Sequence, residues 1–157
     1  MTDQPTTATP EAIAQLEEAA SEADAPLVGI IMPSQSDMDI MSAAAKVLDD
    51  AGVRSETRVM SCHREPEVVA DYCANARLRG LKVIIAGAGL SAALPGVAAA
   101  HSDLPVIGVP LSSRLSVAGG LDALLSVTQM PPGVPVASVG LDNAQNAGHL
   151  ALRILHA

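Results

Sequence analysis

Three short, unbroken apolar runs constrain this chain more than any other feature: LVGIIM at 27–32, VIIAGA at 83–88 and PVIGVP at 105–110. Each has strand length and none alternates with polar residues, so each predicts a strand covered on both faces. Such strands belong to parallel sheets, whose crossover connections lay helices on the sheet. The segments between the runs fit that role. After 27–32 a polar turn leads into a helix to about residue 51, with Ile40, Met41, Ala44, Val47 and Leu48 on its apolar side and Gly52 placed to end it. A run at 54–60 predicts a further strand, followed by a helix from Pro66 to near Gly80. Gly87-Ala88-Gly89 turns the next strand into an Ala-rich helix through about 100. A Ser/Gly-rich loop at 111–120, a short helix at 121–128, a fifth strand at 134–139 and a last helix at 143–156 complete the chain. Strands alternating with helices across short connections predict an α/β domain with a parallel, doubly wound sheet, flavodoxin-like or Rossmann-like.

The chain of 157 residues is of one-domain size. It has no Phe, no Trp and a single Tyr, Tyr72, so the core must be built from Ala, Val, Leu, Ile and Met. The net charge of −8 is concentrated at one end. Residues 1–26 hold six acids and no base, which leaves 11 acids against 9 bases in 27–157. We expect 1–26 to be an acidic extension, polar and disordered over 1–10 and helical over 11–23, where Ile13, Leu16 and Ala20 make a thin apolar stripe. That helix is either a docking element or part of a solubilising tail. Without a basic stripe or aromatic stacking platforms, nucleic-acid binding is not expected. No apolar run reaches the ~18 residues of a membrane span, and the N-terminus lacks a signal-peptide pattern, so a cytoplasmic protein is expected. Cys62 and Cys73 form no CxxC pair or Cys/His cluster, and neither a metal site nor a disulfide is expected. Cys73 is most simply a small core residue.

Three strand-end loops carry the polar and glycine-rich composition: 33–37, 61–65 and 87–91. All three fall on the carboxyl edge of the predicted sheet, where open α/β sheets place their ligand crevice. His63 puts a titratable imidazole there, beside Arg64 as an anion ligand; a solvated His-Arg pair on a surface turn is the plainer alternative. Ser34, Ser36 and the free amides of the following helix suit a phosphate, and Asp37 suits ribose hydroxyls. Ser36 or Asp37 serves equally well as a helix cap. Gly87 and Gly89 allow a flat ligand to approach the backbone, or simply close a tight turn.

In order and spacing, VGIIMPSQSD, SCHREPE, VIIAGAG, LPG, LPVIGVP, GLDALLS, GVPVASV and NAQNAG resemble the class I N5-carboxyaminoimidazole ribonucleotide mutases of bacterial purine synthesis, over roughly 27–155. The resemblance implies a three-layer α/β/α subunit with a flavodoxin-like sheet of about five strands, a homo-octamer, no metal and no organic cofactor. It implies a ribonucleotide substrate and CO2 as small-molecule partners. Carried over by position, Ser34, Ser36, Asp37 and Arg64 would hold phosphate and ribose. Ser61, Cys62, Ala88, Gly89 and Leu94 would frame the imidazole and carboxylate, and His63 would be the catalytic acid-base.

The chain departs from that pattern at the site. Pro33 stands where the family has Gly, Cys62 where it has Ala, Leu90-Ser91 where it has Gly-Ala, and Ala93 where it has a second histidine. The loop from Leu111 to Gly119 is about two residues longer, and the family's further C-terminal helix is not among these residues. The leading expectation is an isomerase that interconverts N5-carboxyaminoimidazole ribonucleotide and 4-carboxy-5-aminoimidazole ribonucleotide. A paralogous carboxylase or decarboxylase acting on aminoimidazole ribonucleotide or another nucleotide-like carboxylate is the alternative, and a non-catalytic nucleotide-binding protein the third.

Overall fold

The computed structural model describes residues 9–21 and 25–157. An N-terminal helix, α1 (Pro10–Ser21), precedes β1 (Val28–Met32), α2 (Met38–Asp50), β2 (Ser55–Val59), α3 (Pro66–Ala74) and β3 (Val83–Gly89). Then come α4 (Leu94–His101), β4 (Val106–Leu111), α5 (Leu121–Thr128), β5 (Ala137–Ser138) and α6 (Ala144–Leu155). The five strands form one parallel sheet in the order β2-β1-β3-β4-β5. That is the flavodoxin-type doubly wound order, and its direction reverses between β1 and β3. Residues 1–8 and 22–24, which include most of the stretch expected to be disordered and the end of the expected first helix, lie outside the described residues.

β1, β3 and β4 are buried along almost their whole length, as their unbroken apolar runs require. Their side chains divide between two layers. Ile31, Ile84, Ala86 and Ala88 face Val69, Tyr72 and Cys73 of α3, Leu94 and Ala98 of α4, and Ala123 and Val127 of α5. Val28, Ile30, Met32, Val83 and Ile85 face Met41, Ala44 and Leu48 of α2 and Ala144, Ala147 and Ala151 of α6. The small residues expected of an aromatic-poor core let these helices lie close. Tyr72 finds its space at a glycine: a Cβ on Gly29 would stand 2.4 Å from the Tyr72 hydroxyl.

Two elements differ from their expected bounds. α3 ends at Ala74, not near Gly80, because the Asn75 side chain donates to the Asp71 carbonyl (3.0 Å) and caps the helix. The chain continues through hydrogen-bonded turns to Gly80 at φ +88. β5 is two residues rather than six. Pro131, Pro132 and Pro135 lack the amide donor that a ladder uses, so pairing with β4 is confined to Ile107↔Ala137 and Gly108↔Ser138, with one further bond from the Val139 amide to the Gly108 carbonyl.

Candidate active site

The parallel registers bring the three polar loops to one edge. Met32 pairs with Val59, and Ile31 pairs with Ala86, so the chain leaves β1 beside the ends of both β2 and β3. This is the point at which the strand order reverses. Among the described residues it is where His63, the serine loop and the glycine turn meet.

In the first loop, Ser34 caps a short 3₁₀ turn over Gln35–Asp37. Its Oγ accepts from the Ser36 amide (3.3 Å) and lies 2.8 Å from the Ser36 Oγ. Ser34 therefore performs the local capping. Asp37 occupies the N-cap position of α2 but makes no side-chain cap bond, so the helix-cap explanation does not account for its carboxylate. Partial burial raises the Asp37 pKa, while the Ser34 amide and the Arg64 charge act in the opposite direction.

The second loop is a closed turn. The amides of Arg64 (3.2 Å) and Glu65 (2.7 Å) donate to the Ser61 carbonyl, and the Met60 amide donates to the Met32 carbonyl (2.8 Å), which prolongs the ladder past β2. Ser61 is buried, and Cys62 is half-buried against the α3–α4 core; this burial pushes its thiol pKa up. His63 and Arg64 point outward. The Arg64 guanidinium donates to the Pro33 carbonyl and so ties the second loop to the first. The His63 imidazole makes no side-chain hydrogen bond or ion pair among the described residues, which leaves both ring nitrogens open to a ligand.

The third loop begins at Ala88, which is buried, and Gly89, where a Cβ would stand 2.9 Å from the Leu111 carbonyl. Leu90 follows at φ +56, a left-handed conformation that costs a side-chain-bearing residue energy, and is 41% exposed. Leu94 opens α4 and is buried in the core, so it lies beneath the loop. Along these loops Ser36, His63 and Arg64 are exposed, and Ser61, Ala88 and Leu94 are buried.

Two features of this edge escaped the sequence reading. One is the Pro33 carbonyl as the anchor of Arg64. The other is Asp142, at φ +55, which accepts from both the amide (2.7 Å) and the hydroxyl (2.5 Å) of Ser112 while its own amide donates to the Pro110 carbonyl. This clamp holds the end of β4 alongside Gly89, which pairs with Leu111. An Asp before Asn143 in a turn was its one sequence signal.

Comparison with known proteins finds relatives along the whole α/β unit. The profile of the family described as AIR carboxylase matches residues 27–157, the whole of the α/β unit and none of α1. The N5-carboxyaminoimidazole ribonucleotide mutase of Pyrococcus abyssi is 57% identical over 130 residues, 83% of this chain and 74% of that protein. The chloroplastic phosphoribosylaminoimidazole carboxylase of Vigna aconitifolia is 52% identical over 129 residues, 82% of this chain but 23% of that longer protein. The crystal structure of Treponema denticola PurE superposes with a TM-score of 0.74 at 32% identity, covering 83% of this chain and 80% of that one. With the family profile matched along the whole α/β unit and relatives at 52–57% identity over most of the chain, this chain belongs to the AIR carboxylase family.

Proposed function

We propose that the protein is an isomerase of purine biosynthesis that interconverts N5-carboxyaminoimidazole ribonucleotide and 4-carboxy-5-aminoimidazole ribonucleotide. Relatives at 52–57% identity that are named N5-carboxyaminoimidazole ribonucleotide mutase support this reading. The observation that carries it is the His63–Arg64–Pro33 arrangement: a cation bound to the serine loop, with an unengaged imidazole next to it. Arg64, Ser34 and Ser36 take the phosphate and Asp37 the ribose. Ser61, Cys62, Ala88, Gly89 and Leu94 form the walls and floor around the imidazole and its carboxylate.

The chemistry suits these groups. Protonated His63 delivers a proton to the exocyclic nitrogen, the N–C bond of the carbamate breaks with its electron pair passing to nitrogen, and CO2 is released. Ring C4 then attacks CO2, and His63 removes the C4 proton, which restores the protonated imidazole. The proton count closes within one turnover. Small, nearly closed residues at Ala88 and Ser61 hold CO2 away from water between the two steps.

A second reading, a carboxylase or decarboxylase, draws support from Leu90 at a strained position and from Ala93 where the resemblance has histidine. Residues 1–26 are an acidic extension to the catalytic unit at 27–157, and the working form is a homo-oligomer, an octamer in the leading reading, of the cytoplasm. Among the described residues no helix is long and apolar enough to cross a membrane. The test is conversion between the two carboxylated ribonucleotides by wild type and His63→Asn. Wild type is expected to interconvert them, and the variant to lose turnover while still binding nucleotide. A wild type that only releases or fixes CO2 favours the second reading, and near-normal turnover by the variant removes His63 from the mechanism.

A further inference from the structure

Leu90 combines a strained backbone with a side chain that the core does not use. Its φ of +56° is left-handed, a conformation that glycine takes freely and leucine rarely. The chain is fixed on both sides of it. Gly89 pairs with Leu111 so closely that a Cβ would stand 2.9 Å from the Leu111 carbonyl. Ala92 is fully buried, and the amides of Ala92 and Ala93 donate to the carbonyls of Leu90 (2.9 Å) and Ser91 (2.7 Å). Yet the Leu90 side chain is 41% exposed and belongs to neither core layer. Strain of this kind persists where its surroundings over-determine it, and it gathers at functional sites.

Placement gives that side chain a task. The Leu90 loop leaves β3 and the His63 turn leaves β2 at the same edge, with β1 between them. Two strand spacings, roughly 10 Å, therefore separate the roots of the two loops. A planar ring fits across that distance with one contact of about 3.5–4 Å on each side. From Ala88 to Leu94 the only polar side-chain group is the Ser91 hydroxyl, so this loop offers a ligand apolar contact rather than charge.

We propose that Leu90 retains CO2 between the two steps of the isomerisation, an inference that rests on the reaction proposed above. When the N–C bond of the carbamate breaks and its electron pair passes to nitrogen, CO2 is left neutral, with no ionic hold on the site. Until ring C4 attacks it, apolar surface is what keeps CO2 in and water out. Leu90 supplies that surface from the β3 side, across β1 from His63. Glycine here would relieve the strain and leave an opening.

The test follows the carboxyl carbon. The full-length enzyme is given N5-carboxyaminoimidazole ribonucleotide labelled in that carbon, in excess unlabelled bicarbonate, and the spontaneous loss in enzyme-free buffer is subtracted. Wild type should pass the label to the 4-carboxy product and release it in only a small fraction of turnovers. Leu90→Gly and Leu90→Asn, both of which accept left-handed φ, should release it about fivefold more often, with aminoimidazole ribonucleotide as by-product. Leu90→Met should retain it as wild type does, and all three variants should keep the wild-type mass in light scattering. A wild type that forms no 4-carboxy product sinks the isomerase reading and this inference with it. Wild-type interconversion with equal retention by every variant overturns the role of Leu90 alone. So does equal leakage from Leu90→Met, or leakage that comes with a fall in assembled mass, which would make Leu90 a subunit contact.

Discussion

Arg64 shows how a single contact decides what a surface residue can do. A free arginine on an exposed turn samples many rotamers, whereas this one donates to the Pro33 carbonyl, and the fixed φ of proline steadies that carbonyl. The guanidinium is thereby tied to the loop that carries Ser34 and Ser36, where the proposed reading puts phosphate. A charge-assisted contact of this kind contributes about 1.5–3 kcal/mol. Arg64→Ala should therefore weaken a phosphorylated ligand roughly tenfold to a hundredfold, and should leave the dephosphorylated nucleoside much less affected. Equal losses on the two ligands, measured by calorimetry, would move the phosphate elsewhere. Asp37 makes the opposite trade. Burial raises its pKa in the folded chain above the ordinary 3.8, so the folded state holds this proton more tightly than the unfolded state. Stability then falls as pH rises from 3.8 through the folded pKa, and at neutral pH the carboxylate is a net burden. Asp37→Asn should raise the melting temperature at pH 7, with the gain vanishing below pH 3.8. A melting temperature unchanged or lowered at pH 7 would contradict this account.

At the scale of elements, the long loop between β4 and α5 holds the most constrained backbone. Ala118, Gly119 and Gly120 take positive φ in succession, at 48, 68 and 107°, and the chain turns there into α5. Gly120 is the position least able to change: a Cβ would stand 2.7 Å from the Leu141 side chain in addition to the conformational strain. Gly120→Ala should cost about 1–2 kcal/mol, visible as a melting temperature lower by several degrees; Gly119→Ala, with open space around its Cβ, should show only the strain. Equal effects would mean that Leu141 yields freely. This loop also marks where sequence reading stops. β1, β3 and β4 were legible because an apolar run buried on both faces has few other uses. β5 was not, since its prolines shorten a segment whose composition still reads as strand, and α3 was overrun because a capping Asn75 followed by Ala76 looks like more helix. His63 and its loops were legible by position. The Pro33–Arg64 bridge and the Ser112–Asp142 clamp were not, because both join residues about thirty apart whose meeting depends on strand order.

For the whole molecule, the distribution of exposed apolar surface separates two roles that the sequence left mixed. α1 carried the expectation of either a docking element or part of a solubilising tail, and its Leu16 and Ala12 line a cavity with α3 and the end of β2 of their own chain. The two most exposed large apolar side chains lie elsewhere, on the loop that follows β4. Leu115 is 78% exposed and Val117 68%, with Leu121 and Leu125 one helical turn apart on α5 and each nearly half exposed. Exposed apolar side chains gathered on one loop and the helix after it are what the proposed homo-oligomer would cover. A homo-oligomer formed through this face would bury it, whereas α1 would contribute to the stability of each subunit. The two roles respond differently to substitution. Leu115→Glu with Val117→Glu places like charges on the loop of every copy, so the mass measured by light scattering should fall to smaller species while the far-UV circular dichroism is retained. Deleting residues 1–25 should instead lower the melting temperature and leave the mass per assembly at the value expected for the shortened chain. If the double glutamate variant keeps the wild-type mass, subunits meet through another face; if the deletion alone dissociates the assembly, α1 reaches across to a neighbour after all.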